Sequence, residues 1–172
     1  MKRAYLLTGP PGTGKTTLLR EVAVRIQDGV DGFYTQEIRK GGKREGFEIC
    51  TLRGERAILA HVNIKGPFRV GRYGVDVESL DRVGVAALNR AIEEKKFIVI
   101  DEIGKMELLS SSFRQAVLAA LKSGQKVLGT IMASHHPFAD SIKQRPEVEL
   151  LKLNRDLGEE IKIKVLSFVH DI

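Results

Sequence analysis

The segment from residue 9 to residue 16 constrains the fold more than any other part of the chain. It consists of Gly9, Pro10, Pro11, Gly12, Thr13, Gly14, Lys15 and Thr16, which match the pattern GxxxxGK(S/T) at every defined position. The apolar run Tyr5 to Thr8 before it predicts a strand, and apolar residues at helical spacing from Lys15 to about Gln27 predict a helix. A strand, a glycine-rich turn and a helix in this order form a P-loop, so the sequence predicts the opening of an α/β fold.

The chemistry that this motif supports is phosphate binding. Its glycines allow backbone N–H groups to turn inward around phosphate oxygens, and the following helix directs the positive end of its dipole to the same place. We expect Lys15 to reach the β- and γ-phosphates, Thr16 to give its hydroxyl to Mg²⁺, and Thr17 to contact an α-phosphate oxygen. The plain alternative is a glycine-rich turn that binds nothing, and the flanking strand and helix argue against it.

A buried strand that ends in two acidic residues predicts the other half of the site. Phe97 to Ile100 is continuously apolar, as expected of a parallel strand covered on both faces, and Asp101 and Glu102 follow it. A carboxylate at this end of a strand can hold Mg²⁺, the role predicted for Asp101. Glu102 is the predicted catalytic base that orients or deprotonates the attacking water. Glu107 is the rival base, with a surface role as its plain alternative.

The rest of the chain alternates between strand-like and helix-like segments. Three β-prone runs, Phe33 to Thr35, Phe47 to Leu52 and Ala57 to Ala60, are separated by glycine-rich charged turns and predict antiparallel hairpins. Further helices are predicted over Asp76 to Glu94, Ser110 to Ser123, Phe138 to Lys143 and Leu157 to Val169, and further strands over Lys126 to Met132 and Val148 to Leu153. The alternation predicts a three-layer α/β core with a mostly parallel sheet and an antiparallel hairpin insertion.

Composition limits the kind of protein and its partners. The chain has 172 residues, 42% hydrophobic and 29% charged, which predicts one folded domain spanning 1–172. A net charge of +6 favours nucleotide phosphates and permits nucleic acid, but no aromatic and basic residues interleave as in a stacking platform, so nucleic acid is not favoured. Cys50 is the single cysteine and is assigned no role, which suits a reducing cytoplasm. No apolar run is long enough for a membrane span or a signal peptide, so we expect a soluble cytoplasmic protein.

Several other polar residues have two interpretations each. Candidates for a cation that neutralises charge on the γ-phosphate are Arg39, Arg69, Arg72 and Lys105, each of which is more simply solvated. The basic run from Arg39 to Arg44 lies on a hairpin turn. It is either a solvated tip or a surface that binds a partner. Asn154 and Arg155 are candidates to border the nucleobase. The alternative for Asn154 is that it caps the last helix. His135 and His136 lack a third ligand at metal spacing, so they are expected to be exposed and no zinc is assigned.

Four stretches together carry a family resemblance: Asp101 to Glu107, Gly32 to Arg39, Val70 to Val75 and Asn154 to Asp156. With the P-loop, they make the chain similar over nearly its whole length to the thermostable, or cancer-related, nucleoside-triphosphatase family. The resemblance implies a P-loop NTPase core of RecA-like or ABC-like type and slow hydrolysis of several nucleoside triphosphates to diphosphate and phosphate. It also implies a nucleotide site formed by Gly9 to Thr16 and by the segment that contains Ile98, Val99, Ile100, Asp101, Glu102, Ile103, Gly104 and Lys105.

Competing functions remain open at this stage. A small-molecule kinase would share the P-loop but needs an acceptor site and a mobile arginine-bearing lid, and the adjacent acids Asp101 and Glu102 favour water activation instead. A nucleotide-controlled switch or a nucleic-acid-binding ATPase is a further alternative. The sequence predicts a Mg-dependent hydrolase of ATP, GTP, CTP and UTP, because a P-loop binds phosphates and is largely insensitive to the base.

Overall fold

A computed structural model describes residues 1–156 and 158–171. Its strands are β1 (Ala4–Thr8), β2 (Val30–Lys40), β3 (Lys43–Thr51), β4 (Arg56–His61), β5 (Arg69–Val70), β6 (Tyr73–Val75), β7 (Phe97–Ile103), β8 (Val127–Ile131) and β9 (Val148–Lys152). All of these strands lie in one sheet, in the order β5-β6-β4-β3-β2-β7-β8-β1-β9. The central strands belong to a parallel core, and the hairpin strands extend it on one side.

The helices alternate with the strands as the sequence predicts. They are α1 (Lys15–Ile26), α2 (Val77–Ser79), α3 (Ala86–Glu93), α4 (Ser111–Lys122), α5 (Pro137–Lys143) and α6 (Gly158–His170). Ser110 caps α4 by accepting a hydrogen bond from the backbone N–H of Phe113. The first residue of the predicted last helix, Leu157, lies outside the described residues. None of the helices described is both long and apolar enough to span a membrane.

The parallel half of the sheet comprises β2, β7, β8, β1 and β9. Successive side chains of a strand point to opposite faces, so Leu6 of β1 packs with Leu88 of α3 and Phe113 of α4, while Leu7 packs on the other side. There Leu19 of α1 and Val165 of α6 join it. Helices cover both faces of the sheet, which confirms the predicted α/β class.

Strand β2 joins the parallel core to the antiparallel extension. Its first residues, Val30 to Phe33, pair in parallel with β7, and residues from Phe33 to Lys40 pair antiparallel with β3. Strands β4, β6 and β5 continue the antiparallel part. The predicted hairpin insertion is therefore an extension of the same sheet. The sequence did not predict β5 and β6, which have two and three residues. Strands this short contain too few residues to show the alternation of polar and apolar side chains on which the prediction of a strand depends. One domain over 1–172 stays a prediction.

The region predicted as a single helix from Asp76 to Glu94 is interrupted by a wider turn. Asp76 caps its start by accepting the N–H of Ser79, and a π-helical turn over Leu80–Val85 joins α2 to α3. Val83 and Val85 are both buried.

Candidate active site

The carboxyl ends of β1, β7 and β8 meet beside a cavity of about 830 Å³. All nine residues from Gly9 to Thr17 line it, together with Asp101 and Glu102 at the end of β7. The remaining lining residues are Thr35, Gln36, Glu37, Arg44, Phe47, Leu59, Val70, Lys105, Met106, Glu107, Met132, Ala133 and Ser134. The cavity brings together the two sequence segments predicted to form the site, which are far apart in the chain.

The loop between β1 and α1 keeps its backbone donors open to this cavity. Gly9 has a φ of 152° and lies so close to the Leu153 carbonyl that a side chain would collide with it. Gly14 has a φ of 87°, precedes α1 directly, and no side chain caps this helix start. The first turn of α1 also carries no acidic residue. The uncapped N–H groups and the positive end of the helix dipole therefore form an anion site.

Lys15 lies within the curve of this loop. Its Nζ donates hydrogen bonds to the carbonyl oxygens of Gly9, at 2.6 Å, and Pro10, at 3.0 Å. These bonds hold the ammonium group against the loop that lines the cavity. The positive charge is thereby placed next to the backbone donors, as phosphate binding requires.

Asp101 is a buried carboxylate held by two hydroxyl groups. Thr16 Oγ1 of α1 donates to its Oδ2 at 2.8 Å, and Thr130 Oγ1 of β8 donates to its Oδ1 at 2.6 Å. Asp101 is 3% exposed. Burial raises the pKa of Asp101, and the hydrogen bonds from Thr130 and Thr16 oppose that rise. Sequence reasoning missed Thr130, whose only signal is a hydroxyl residue near the end of an otherwise apolar strand.

Two glutamates lie side by side, Glu102 near the end of β7 and Glu107 in the turn that follows it. A Cβ atom at position 104 would lie 3.1 Å from Glu107 Oε2 and only 2.5 Å from Glu102 Oε1, which is a clash. Both carboxyl groups therefore flank the same point beside Gly104. Burial, followed by the charge of Asp101, raises the pKa of Glu102, while Lys15 opposes the rise. Burial, followed by the charge of Glu102, raises the pKa of Glu107 well above its ordinary value. Glu107 is 5% exposed, so the surface role considered for it is wrong.

The predicted segment around β7 is too broad as a nucleotide site. The side chains of Ile98, Val99, Ile100 and Ile103 are at most 1% exposed and lie in the core, because a parallel strand is covered on both faces. Asp101, Glu102 and Lys105 line the cavity. Gly104 packs against the two glutamates without lining it.

Three of the four candidate cations are engaged in other contacts. Arg39 pairs with Glu37, Arg69 donates to backbone carbonyls, and Arg72 donates to the Arg44 carbonyl and the Tyr73 hydroxyl. Lys105, the fourth, is exposed and lines the cavity. Arg44 also lines the cavity, although only its place in the basic hairpin run pointed to it.

The histidine and asparagine residues have structural contacts. His135 is exposed and pairs with Asp140, and His136 Nδ1 accepts the N–H of Phe138 at the start of α5. Asn154 Oδ1 accepts the N–H of Asp156 at 2.9 Å in the turn that precedes α6. Within 1–156 and 158–171, no group of three histidine, cysteine or acidic residues forms a metal site.

The residues around Asp101 fit a magnesium ion shared with phosphate. Thr16 and Asp101 offer hydroxyl and carboxylate oxygens within hydrogen-bond distance of each other. Mg²⁺ prefers such oxygen ligands and is usually held by one or two protein groups plus phosphate and water. The donor set therefore suits Mg²⁺ bound together with a nucleotide better than an ion enclosed by protein alone.

The parallel core, the anion-binding loop and the buried acid at the end of β7 define a P-loop NTPase. A family model described as NTPase matches residues 4–166, and the chain belongs to that family. It is 46% identical to Nucleoside-triphosphatase THEP1 of a Thermotoga species, over 94% of this chain and 92% of that protein. It is 40% identical to the human Cancer-related nucleoside-triphosphatase, over 91% of this chain and 90% of that one.

Solved structures have the same fold. The crystal structure of THEP1 from the hyperthermophile Aquifex aeolicus aligns with a TM-score of 0.89 at 33% identity, covering 97% of this chain and 99% of that one. The solution structure of a human cancer-related nucleoside triphosphatase aligns with a TM-score of 0.83 at 36% identity, covering 99% and 98%. Both alignments include the hairpin extension, because they cover nearly the whole chain.

Proposed function

We propose that this protein hydrolyses nucleoside triphosphates to nucleoside diphosphate and phosphate in a Mg²⁺-dependent reaction. The observation that carries the proposal is the convergence of the P-loop with Asp101 and Glu102 on one cavity. The names of its relatives, which are nucleoside-triphosphatases, support the same reaction. Its single buried cysteine suits the cytoplasm, which we propose as the place of action.

The P-loop binds and orients the triphosphate. Backbone N–H groups of the loop and of the first turn of α1 receive phosphate oxygens, and Lys15 moves its hydrogen bonds from the loop carbonyls to the β- and γ-phosphates. Thr17 contacts the α-phosphate. Thr16 and Asp101 would hold Mg²⁺, which when bound neutralises charge on the β- and γ-phosphate oxygens.

Glu102 activates the attacking water. Its carboxylate orients the water and accepts its proton as the oxygen attacks the γ-phosphorus, and the bond to the β–γ bridging oxygen breaks. A pKa raised by burial makes Glu102 a stronger base than an exposed glutamate. Glu107 lies beside it and is more completely buried, and its pKa is raised well above the ordinary value, which favours the neutral form and makes it the weaker candidate for the base.

Substrate choice follows from where the binding groups lie. The binding groups named above all contact phosphates, so we propose broad tolerance of the base, with ATP, GTP, CTP and UTP all hydrolysed. The positive loop also favours triphosphates over neutral nucleosides.

Phosphate release from the four triphosphates, with and without Mg²⁺, tests the proposal. We compare the native chain with Lys15→Ala, Glu102→Gln and Glu107→Gln, and use the exposed Glu93→Gln as the matched control. We expect Glu102→Gln to lower kcat by roughly 10²-fold or more, as loss of a general base does. Glu107→Gln should retain most activity. Full activity in Glu102→Gln with loss in Glu107→Gln would transfer the base to Glu107, and nucleotide binding without hydrolysis would refute the hydrolase.

A further inference from the structure

The cavity is larger than the phosphate site needs, and its outer part has a different character. Beyond the P-loop and Glu102 it continues into a space that we name the hairpin chamber, formed by Gln36, Arg44, Phe47, Leu59, Val70 and Met106. These residues come from β2, β3, β4, β5 and the loop after β7. The hairpin extension therefore contributes walls to the same cavity that holds the catalytic acids.

Strand order places the hairpin chamber next to the γ-phosphate. Strand β7, which carries Glu102, lies between β8 and β2, and the hairpin strands continue from β2. A triphosphate bound as proposed has its α-phosphate at Thr17 and its γ-phosphate at Glu102, so its nucleoside extends away from the hairpin. Thr17 also lines a second surface cavity with Arg20 and Glu21, outside the chamber, where the nucleoside has room.

The walls of the hairpin chamber suit a small organic molecule better than water alone. Phe47, Val70 and Met106 are partly exposed and present apolar surface. The almost fully buried Leu59 completes the apolar lining. The hairpin chamber shares with the phosphate site a cavity of about 830 Å³, and small-molecule sites are roughly 300–1,000 Å³. One attacking water at Glu102 needs none of these apolar walls, which water solvates poorly.

Fixed polar groups stand at the edge of the apolar walls. Arg44 Nε donates to the Tyr73 hydroxyl at 2.9 Å, and its guanidinium lies 5.1 Å from the centroid of the Phe47 ring. Gln36 is held by a hydrogen bond to Glu48. Apolar walls, one aromatic ring and a few oriented polar groups match a flat ring with polar substituents.

We propose that the hairpin chamber binds a small aromatic alcohol whose hydroxyl group accepts the γ-phosphoryl group in place of water. The hydroxyl oxygen attacks the γ-phosphorus and forms the new P–O bond, while the bond to the β–γ bridging oxygen breaks. That oxygen keeps the electron pair and leaves with the nucleoside diphosphate. Glu102 takes the hydroxyl proton and passes it to solvent, so the products are a phosphate monoester and a diphosphate.

The acceptor step rests on the triphosphate orientation of the proposed function. One assay therefore measures both hydrolysis and transfer to the acceptor. ATP labelled at the γ-phosphate is incubated with Mg²⁺, native protein and, one at a time, benzyl alcohol, each pyridinemethanol, thymidine or cytidine. ADP, free labelled phosphate and labelled ester are quantified, and the ester is identified by its mass. We expect at least one probe to yield a labelled ester saturably and to lower the ratio of free phosphate to ADP.

Two variants locate the acceptor. Val70→Trp fills the hairpin chamber, and the control Ile58→Trp adds the same side chain at an exposed position of β4. We expect Val70→Trp to lower ester formation about tenfold or more relative to hydrolysis. Phe47→Leu, a smaller change, should raise the probe's KM if Val70→Trp does not fold. Ile58→Trp should match the native chain.

Three results would count against the inference. Hydrolysis without ester from any probe overturns the acceptor site and leaves the hydrolase intact. Ester formation that is equal in native, Val70→Trp and Phe47→Leu proteins overturns the placement of the acceptor in the hairpin chamber. Absence of both hydrolysis and transfer refutes the proposed function together with the acceptor.

Discussion

Asp101 depends on hydroxyl groups that come from two other elements. Thr16 lies at the start of α1 and Thr130 in β8, and each donates to a different carboxylate oxygen. These bonds offset part of the cost of burying the charge between the sheet and the P-loop. The residue is thereby kept as an acceptor for a cation, with its geometry fixed before a ligand arrives.

The buried carboxyl group of Glu107 makes stability depend on pH. Its pKa is raised in the folded state, so its contribution is fully present below the unfolded value of about 4.5 and is lost as pH rises through the folded pKa. The side chain at position 107 of the variant Glu107→Gln carries no charge at any pH. We therefore expect the free energy of unfolding of Glu107→Gln, relative to that of the native protein, to increase as pH rises through the folded pKa of Glu107. Urea unfolding between pH 4.5 and 9 measures this.

The exposed Glu93→Gln serves as the comparison for this series. Its difference in unfolding free energy from the native chain should stay the same across the pH range. If the difference in unfolding free energy between Glu107→Gln and the native chain also stays constant across the pH range, the fold does not stabilise the neutral form of the Glu107 carboxyl group.

Among the elements, β2 joins the two halves of the sheet, because it pairs in parallel with β7 and antiparallel with β3. Near the point where its pairing changes lies Asp31, which has no exposed surface. It accepts a hydrogen bond from Arg90 Nε at 2.7 Å and forms an ion pair with Arg53, whose Nε lies 3.0 Å from Asp31 Oδ2. Arg90 belongs to α3, and Arg53 to the turn between β3 and β4. The three side chains therefore join the core helix to the start of the hairpin extension.

Removing the charge of Asp31 should loosen this junction. Asp31→Asn keeps the shape but removes the buried anion that the two guanidinium groups share, so that among the described residues Arg53 keeps only Glu94 and Arg90 only Glu55. We expect a loss of roughly 2–3 kcal/mol, because the arginines are partly exposed. Urea unfolding gives the free energy, and Asp28→Asn on the exposed turn before β2 is the matched control. Equal stability of the two variants would refute a structural role for the cluster.

At the scale of the whole molecule, one sheet connects the phosphate site to the hairpin chamber. The parallel strands supply the P-loop and the acids, and the antiparallel strands supply the walls on the other side of Glu102. The net charge of +6 agrees with an anionic ligand, and the expectation that nucleic acid is not favoured stays a prediction.

Ligand binding at the P-loop should stabilise the whole fold by mass action. A non-hydrolysable ATP analogue with Mg²⁺, at about 100 times its Kd, contributes about 2.7 kcal/mol, which raises Tm by roughly 5–10 °C for a chain of this size. Thermal unfolding measures the shift. Lys15→Ala should reduce it at the same ligand concentration. AMP, which lacks the β- and γ-phosphates, should give little shift, and an equal shift with AMP would place the main binding energy outside the P-loop.

The sequence alone determined the features that depend on near neighbours in the chain. The P-loop, the apolar run before Asp101 and the order of strands and helices are local patterns, set by turn geometry and side-chain periodicity, and the structure has these elements within a few residues of the predicted ends. The hairpins were also predictable, because glycine-rich turns separate β-prone runs.

Only the tertiary structure decided which residues share the cavity. Thr130 reaches Asp101 because β8 lies beside β7, and Arg44 joins the site because the hairpin strands extend the sheet next to β2. The same packing buries Glu107 and turns Ile98 to Ile100 into the core. Strand order and burial depend on contacts between distant segments, whose free energies no local pattern records.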